Sequence, residues 1–152
     1  MMDYQLILNE LPDLIYVTLP DGATPIFYNR KWYEYTGLSQ EEALNPYYTV
    51  VDPKDVDRVI KEINTAASIQ ACYSVEVRLR NNAGEYRWFL SKACPVINEQ
   101  GELESYVGTS VDIHDRKVAV RNMEFTYTKV LKQRQARIKE LEQELNIHKT
   151  NK

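Results

Sequence analysis

Residues 84–113, "GEYRWFLSKACPVINEQGELESYVGTSVDI", decide the fold. The stretch divides at "NEQGE" (98–102), a turn signal, because Asn and Gly accept backbone angles that other residues resist. On either side the residues are aromatic, β-branched and alternating, the pattern of strands half buried in a sheet. The reading places strands at 85–96 and 103–113. A third, "CYSVEVRLR" (72–80), precedes them across the hairpin loop "NNAG" (81–84), with Tyr73, Val75, Val77 and Leu79 on one face.

Upstream, "LIYVTL" (14–19) and "PIFYN" (25–29) form a first hairpin about the turn "PDG" (20–22). "YQLILNEL" (4–11) reads as a short amphipathic helix that stops before Pro12. "RKWYEYTG" (30–37) is a short helix closed by Gly37. Ser39 and Glu42 make a capping box for the next one. Asp52 or Pro53 opens a longer helix, whose Val56, Val59, Ile60 and Ile63 share one face. Two strands, several short helices and three strands give an α+β domain on an antiparallel sheet.

The chain has 152 residues, 43% hydrophobic and 27% charged, a soluble globular composition. No apolar run approaches a membrane span and no signal peptide is legible, so a cytoplasmic location without membrane contact is expected. Cys72 and Cys94 are expected as free thiols, since a core of this size needs no staple. One strand register sets them opposite each other on the outward face; a shift of two residues separates them. Charge is uneven: residues 1–115 carry 9 basic and 18 acidic groups, residues 116–152 carry 10 and 4. That asymmetry suggests two parts, and with the helix that stops before Pro12 the chain reads as an N-terminal helix over 1–12, a core over 13–115 and a C-terminal helix over 116–152. The basic tail reads as a solvated helix, and sparse aromatics and glycines argue against nucleic acid.

The runs "YNRKWYEYTGLSQEEALN" (28–45), "VDPKDVDRV" (51–59) and "GEYRWFLSKACPVINEQGELESYVGTSVDIHDRK" (84–117), in that order, resemble a PAS domain with its C-terminal PAC motif. The resemblance covers roughly residues 5–117. It implies a five-stranded antiparallel sheet with short helices on one face, often around a ligand cavity, and a sensory role without enzymatic activity. It puts Arg87, Phe89, Ser91 and Ala93 inward, with Tyr106, Gly108 and Ser110 inward on the last strand. The candidate cavity is lined by Phe27, Trp32, Tyr35, Tyr48, Ile63, Tyr73, Val75, Phe89 and Ser110. Either these side chains fill the core, or they hold a small, mostly apolar ligand.

The light-sensing flavin branch of the family uses a cysteine where this chain has Tyr48. It also uses amides where this chain has Leu79, Phe89 and Ser110. Haem-binding members use a histidine from the long helix, which has none here; His114 and His148 read as surface residues. Neither flavin nor haem is expected, no metal cluster is legible, and no nucleophile with a base suggests an enzyme.

On the outward face, Tyr86, Trp88, Leu90, Val107 and Val111 form a patch too apolar for water. The N-terminal helix, through Leu6, Ile7 and Leu11, or a second subunit is expected to cover it. The junction Asp112, Ile113, His114, Asp115 and Arg116 carries output in the family, and Asp115 is the expected N-cap of a helix from Arg116. Asp112 is within reach of Arg116, Lys117 or a partner on the sheet. The helix that follows has a heptad with Leu131, Ile138 and Leu145 at a and Val120, Tyr127, Arg134, Leu141 and His148 at d. Parallel pairing brings Arg137 to Glu142 and Glu144 to Lys149, which predicts a parallel homodimer; the alternative is a helix folded back on its own domain. Such linkers lead in the family to an effector such as a histidine kinase or a nucleotide cyclase. None is legible here, so either the chain is a fragment or it acts through a partner. A ligand-independent dimerisation scaffold is the competing reading.

Overall fold

A computed structural model describes residues 3–45 and 49–151. Among them the chain runs α1 (Tyr4–Glu10), β1 (Leu14–Thr18), β2 (Pro25–Tyr28), α2 (Arg30–Thr36), α3 (Gln40–Ala43), α4 (Val56–Ser68), β3 (Tyr73–Arg80), β4 (Tyr86–Ile97), β5 (Leu103–Asp112) and α5 (His114–Thr150). The strands form one antiparallel sheet in the order β2-β1-β5-β4-β3. The last strand therefore lies in the middle, paired with the first. Two compact units result, one ending at His114 and one beginning at Asp115.

One device sets both hairpins of the β3–β5 meander. Asn81 turns its side-chain oxygen back to accept the N–H groups of Ala83 and Glu85. Asn98 does the same for Gln100 and Glu102. Gly84 and Gly101 complete the turns at φ 85° and 81°, where a side chain is disfavoured. With the turns fixed, β3 and β4 align Tyr73 with Ala93 through to Arg80 with Tyr86.

The inner face is the core. Val75, Val77, Leu79, Phe89 and Tyr106 pack there with Trp32 of α2 and with Val59, Ile63 and Ala66 of α4. The centre of the sheet is shaped by a single row. Tyr16 faces Gly108, Gly108 faces Ala93, and Ala93 faces Tyr73. The two small residues leave a trough, over which both tyrosines reach until their hydroxyls meet at 2.9 Å. A Cβ on Gly108 would fall 2.3 Å from Tyr16 Cζ.

The open edge of β3 is covered by the chain before α4. Asp52 N–H donates to the Arg78 carbonyl and Arg80 N–H to that of Val50. α4 starts at Val56, later than the expected Asp52 or Pro53, because the Asp52 carboxylate accepts the Lys54 N–H in a turn of its own. Asp55 then accepts from the Arg78 backbone N–H at 3.0 Å, Arg78 Nε at 2.9 Å, Arg78 Nη2 at 3.0 Å and Arg58 Nη2 at 3.1 Å. Burial raises the Asp55 pKa, but these donors outweigh it and hold the carboxyl below its usual range.

Two expectations are corrected. Cys72 and Cys94 are not free thiols but a disulfide. Since Tyr73 faces Ala93, Cys72 must face Cys94, and their Cα atoms lie 4.1 Å apart, the close spacing of a non-hydrogen-bonded pair. A core's need for a staple does not decide whether two cysteines can pair; register does. Closing this loop restricts the unfolded chain by about 3 kcal/mol on the chain-entropy estimate. Nor does α1 cover the outward face. It docks at the start of α2, where Asn29 Nδ2 donates to the Leu8 carbonyl and Arg30 pairs with Glu10. Leu6, Ile7 and Leu11 stay exposed, and Val107 and Val111 are 38% and 39% exposed.

Gly108→Ala is expected to cost about 1–3 kcal/mol in urea unfolding, because the Tyr16 ring is held and cannot swing clear. Unchanged stability would show that Tyr16 yields freely. A depressed carboxylate stabilises the fold above its unfolded pKa, near 3.9, and that contribution is lost as pH falls through the folded value. Asp55→Asn should therefore lower stability at neutral pH by about 2 kcal/mol and make the acid limb of a stability–pH profile shallower.

Candidate functional site

The inward residues of β5 organise the site, because period two puts Gly108, Ser110 and Asp112 on one face. Each makes a different contact across the sheet. Gly108 lies under the tyrosine clasp. Ser110 faces Ser91, and their hydroxyls are 2.6 Å apart. Asp112, at the strand's end, is bound by Arg87, with Nε 2.7 Å from Oδ2.

The clasp is packed by aromatics. Tyr16 meets Trp32 edge-on at 6.3 Å, and Tyr28 stacks on Trp32 at 4.3 Å. The Tyr16 and Tyr73 rings reach over Gly108 and Ala93 and fill that part of the inner face. Leu79 and Phe89, at the flavin-branch amide positions, are sealed in the core. The residues present do not fit a flavin.

The expected cavity residues separate into groups. Trp32, Ile63, Tyr73, Val75 and Phe89 belong to one buried cluster, with Tyr35 packed against it. Ser110 is buried beside Ser91. Phe27 does not join them. It faces Val17, whereas its neighbour Tyr28 faces Tyr16 and points inward. Phe27 instead lines a surface groove with Ile26, Tyr33 and Leu44. Tyr48 lies outside the described residues.

A surface pocket of ≈ 340 Å³ opens where α2 passes the ends of β1 and β5. Tyr35, Phe89 and Ser110 line it together with Asp112, while Asp13, Lys31 and Glu34 contribute charge. Tyr35 meets Phe89 edge-on at 4.9 Å and donates its hydroxyl to the Leu79 carbonyl at 2.9 Å. Burial, and then the Asp112 carboxylate, push its phenol pKa well up, so it remains a hydrogen-bond donor.

Asp112 has a second role. Its Oδ1 accepts the His114 N–H at 2.9 Å, and His114 opens α5. This corrects the expected cap: Asp115 and Arg116 lie within the first turn, and the carboxylate holding the helix start comes from the strand. Two further bonds tie the junction to β4. Ile113 N–H donates to the Trp88 carbonyl at 2.9 Å, and Trp88 N–H donates to His114 Nδ1 at 3.3 Å. Arg87 is thus a sheet residue paired with Asp112, 33% exposed, with its charge answered.

Sequence reasoning missed two residues. Asn29 reads from sequence as the end of a strand, but it is fully buried. Its Oδ1 accepts from Ile15 N–H and Trp32 N–H, and its Nδ2 donates to the Leu8 and Asp13 carbonyls. An Asn directly before a helical run is a cap signal that identifies it. Tyr16 is the other; the glycine inside the β5 run marks a close approach and points to such a partner.

A family model described as the PAS fold matches residues 25–110. The chain is 24% identical over 120 residues to the peroxide stress-activated histidine kinase mak1 of Schizosaccharomyces pombe, covering 79% of this chain and 7% of that protein's length. A PAS domain from Colwellia psychrerythraea superposes with a TM-score of 0.63 at 24% identity, over 74% of this chain and 95% of that one. A sensory box histidine kinase/response regulator from Burkholderia thailandensis gives 0.62 at 23% identity, over 84% and 96%. With the family model matched over more than half its length and the five-stranded sheet in place, the chain belongs to the PAS family.

Proposed function

We propose that the chain is a sensory module that dimerises and passes a change in its core through α5 to an effector. The observation that carries this reading is the double engagement of Asp112: one carboxylate holds both Arg87 of the sheet and the first N–H of α5. A change along β5 that moves Asp112 alters the support of the helix start. The input site is the pocket where Tyr35, Phe89 and Ser110 meet Asp112, of a size for a small, mostly apolar ligand with one or two hydrogen bonds.

The homodimer is a parallel coiled coil along α5. Tyr127, Leu131, Ile138, Leu141 and Leu145 are 66%, 40%, 55%, 43% and 59% exposed in the single chain, more apolar surface than a lone helix keeps in water. Arg134, at a core position, weakens that coil and narrows its register. The similarity to two histidine kinases supports a kinase as effector, with a nucleotide cyclase as the other class. Both classes consume nucleotide, which supports a cytoplasmic location for the module. Among the described residues no helix is long and apolar enough to cross a membrane.

A second reading has its own support. The tyrosine clasp fills the centre of the inner face, as a ligand-independent dimerisation scaffold requires. Native mass spectrometry of the chain separates the two. A dimer that retains or binds a small molecule supports the sensor; a dimer indifferent to ligands supports the scaffold. Ile138→Asp is expected to convert the dimer to monomer with the core folded, and a dimer that survives it moves the interface to the outward sheet face or the N-terminal helix.

A further inference from the structure

Cys72 and Cys94 lie one register step beyond the Tyr73–Ala93 pair and face outward, both exposed. β3 is an edge strand, and its two ends are held differently. The Arg78–Arg80 end is gripped on both sides, by β4 and by the Val50–Asp52 backbone. The Tyr73 end has β4 on one side, the short connection from α4 behind it, and the disulfide. Its first residue, Tyr73, carries one of the two hydroxyls of the clasp. The bond thus fixes the end of β3 that bears on the centre of the core. It is open to solvent, and the ladder down to the Asn81 turn holds the hairpin without it.

From these features we propose that Cys72–Cys94 is a reversible thiol–disulfide pair that serves as a redox input to the module, an inference that rests on the sensory reading above. The oxidant is a low-molecular-weight disulfide and the reductant its thiol. One cysteine thiolate attacks a sulfur of the small disulfide, and a mixed disulfide forms as one small thiolate leaves. The second cysteine thiolate then attacks the protein sulfur of that mixed disulfide and expels the other small thiolate. Two protein thiols and one small disulfide become one protein disulfide and two small thiols, a two-electron exchange. Lys92 projects from the same face of β4, about 6.6 Å along the strand from Cys94, where its charge favours the thiolate. Reduction frees the start of β3 and loosens Tyr73 from Tyr16.

The test uses the full chain in native buffer with reduced or oxidised glutathione. Thiols are counted by alkylation and intact mass, and the backbone is followed by hydrogen exchange. The expected result is that the bond opens and recloses without unfolding. On opening, exchange at Tyr73 and Val75, whose amides face β4, should rise about tenfold while β3 near Arg80 is unchanged. The Cys72→Ser, Cys94→Ser double variant should match the reduced form in either buffer. A Cys94→Ser single variant should trap Cys72 as the glutathione mixed disulfide. The proposal is overturned if the bond opens only in denaturant, which makes it a structural staple. It is equally overturned if the bond opens and exchange at Tyr73 and Val75 does not move. Both readouts are local to β3 and independent of oligomeric state and ligand, so they fail separately from the dimer and pocket readings.

Discussion

The hydroxyl contact between Tyr16 and Tyr73 depends on two residues that contribute almost nothing to the surface they sit on. Gly108 and Ala93 leave the middle of the sheet shallow, and two rings from strands on either side close over it. The arrangement decides what occupies the centre of the domain. A larger residue at Gly108 would displace Tyr16, and Tyr16 is braced by Trp32, which is braced by Tyr28. Trp32 in turn stands on α2, whose start is fixed by buried Asn29. One row of the sheet thereby sets the position of the first hairpin, of α2 and, through Asn29, of α1.

The same geometry makes β5 the strand that all others reference. It lies at the centre of the sheet, and its inward residues alternate between contacts of different strength. A neutral hydroxyl pair at Ser110 adds about 1 kcal/mol, while the Arg87–Asp112 pair, about a third exposed on each side, is discounted by solvent. The weakest-held of these contacts is therefore the one at the helix junction. Asp112 and the two bonds to the Trp88 backbone hold the start of α5 with modest energies.

Much of this was legible in the sequence. Strand faces follow from a period of two, which divides β3, β4 and β5 each into two sets, and the resemblance to the PAS family implies which set of β4 and β5 points inward. Asn, Gly and Glu spacing gave both turns, and Ser39 with Glu42 gave a capping box that is present. What alternation does not carry is register between strands. Phe27 was misplaced because β1 and β2 shift register at Val17 and Thr18, which moves Tyr28 rather than Phe27 onto the core face. The disulfide was missed for a related reason, since composition says nothing about which residues stand opposite. Asp115 reads as the cap from sequence because it stands nearer the basic helical run, but the backbone leaves the sheet earlier, and the carboxylate of Asp112 arrives already held by Arg87.

The central claim is that the core and the start of α5 are linked through β5, and Tyr16→Phe tests it most directly. The variant keeps the ring over Gly108 and removes only the hydroxyl that reaches Tyr73. Residue-resolved hydrogen exchange of the folded chain then reports on Ile113 and His114, whose amides bond to Trp88 and Asp112. The account predicts faster exchange at both positions as well as beside the substitution. Exchange that rises only around Tyr16 and Tyr73, with Ile113 and His114 unmoved, would contradict it.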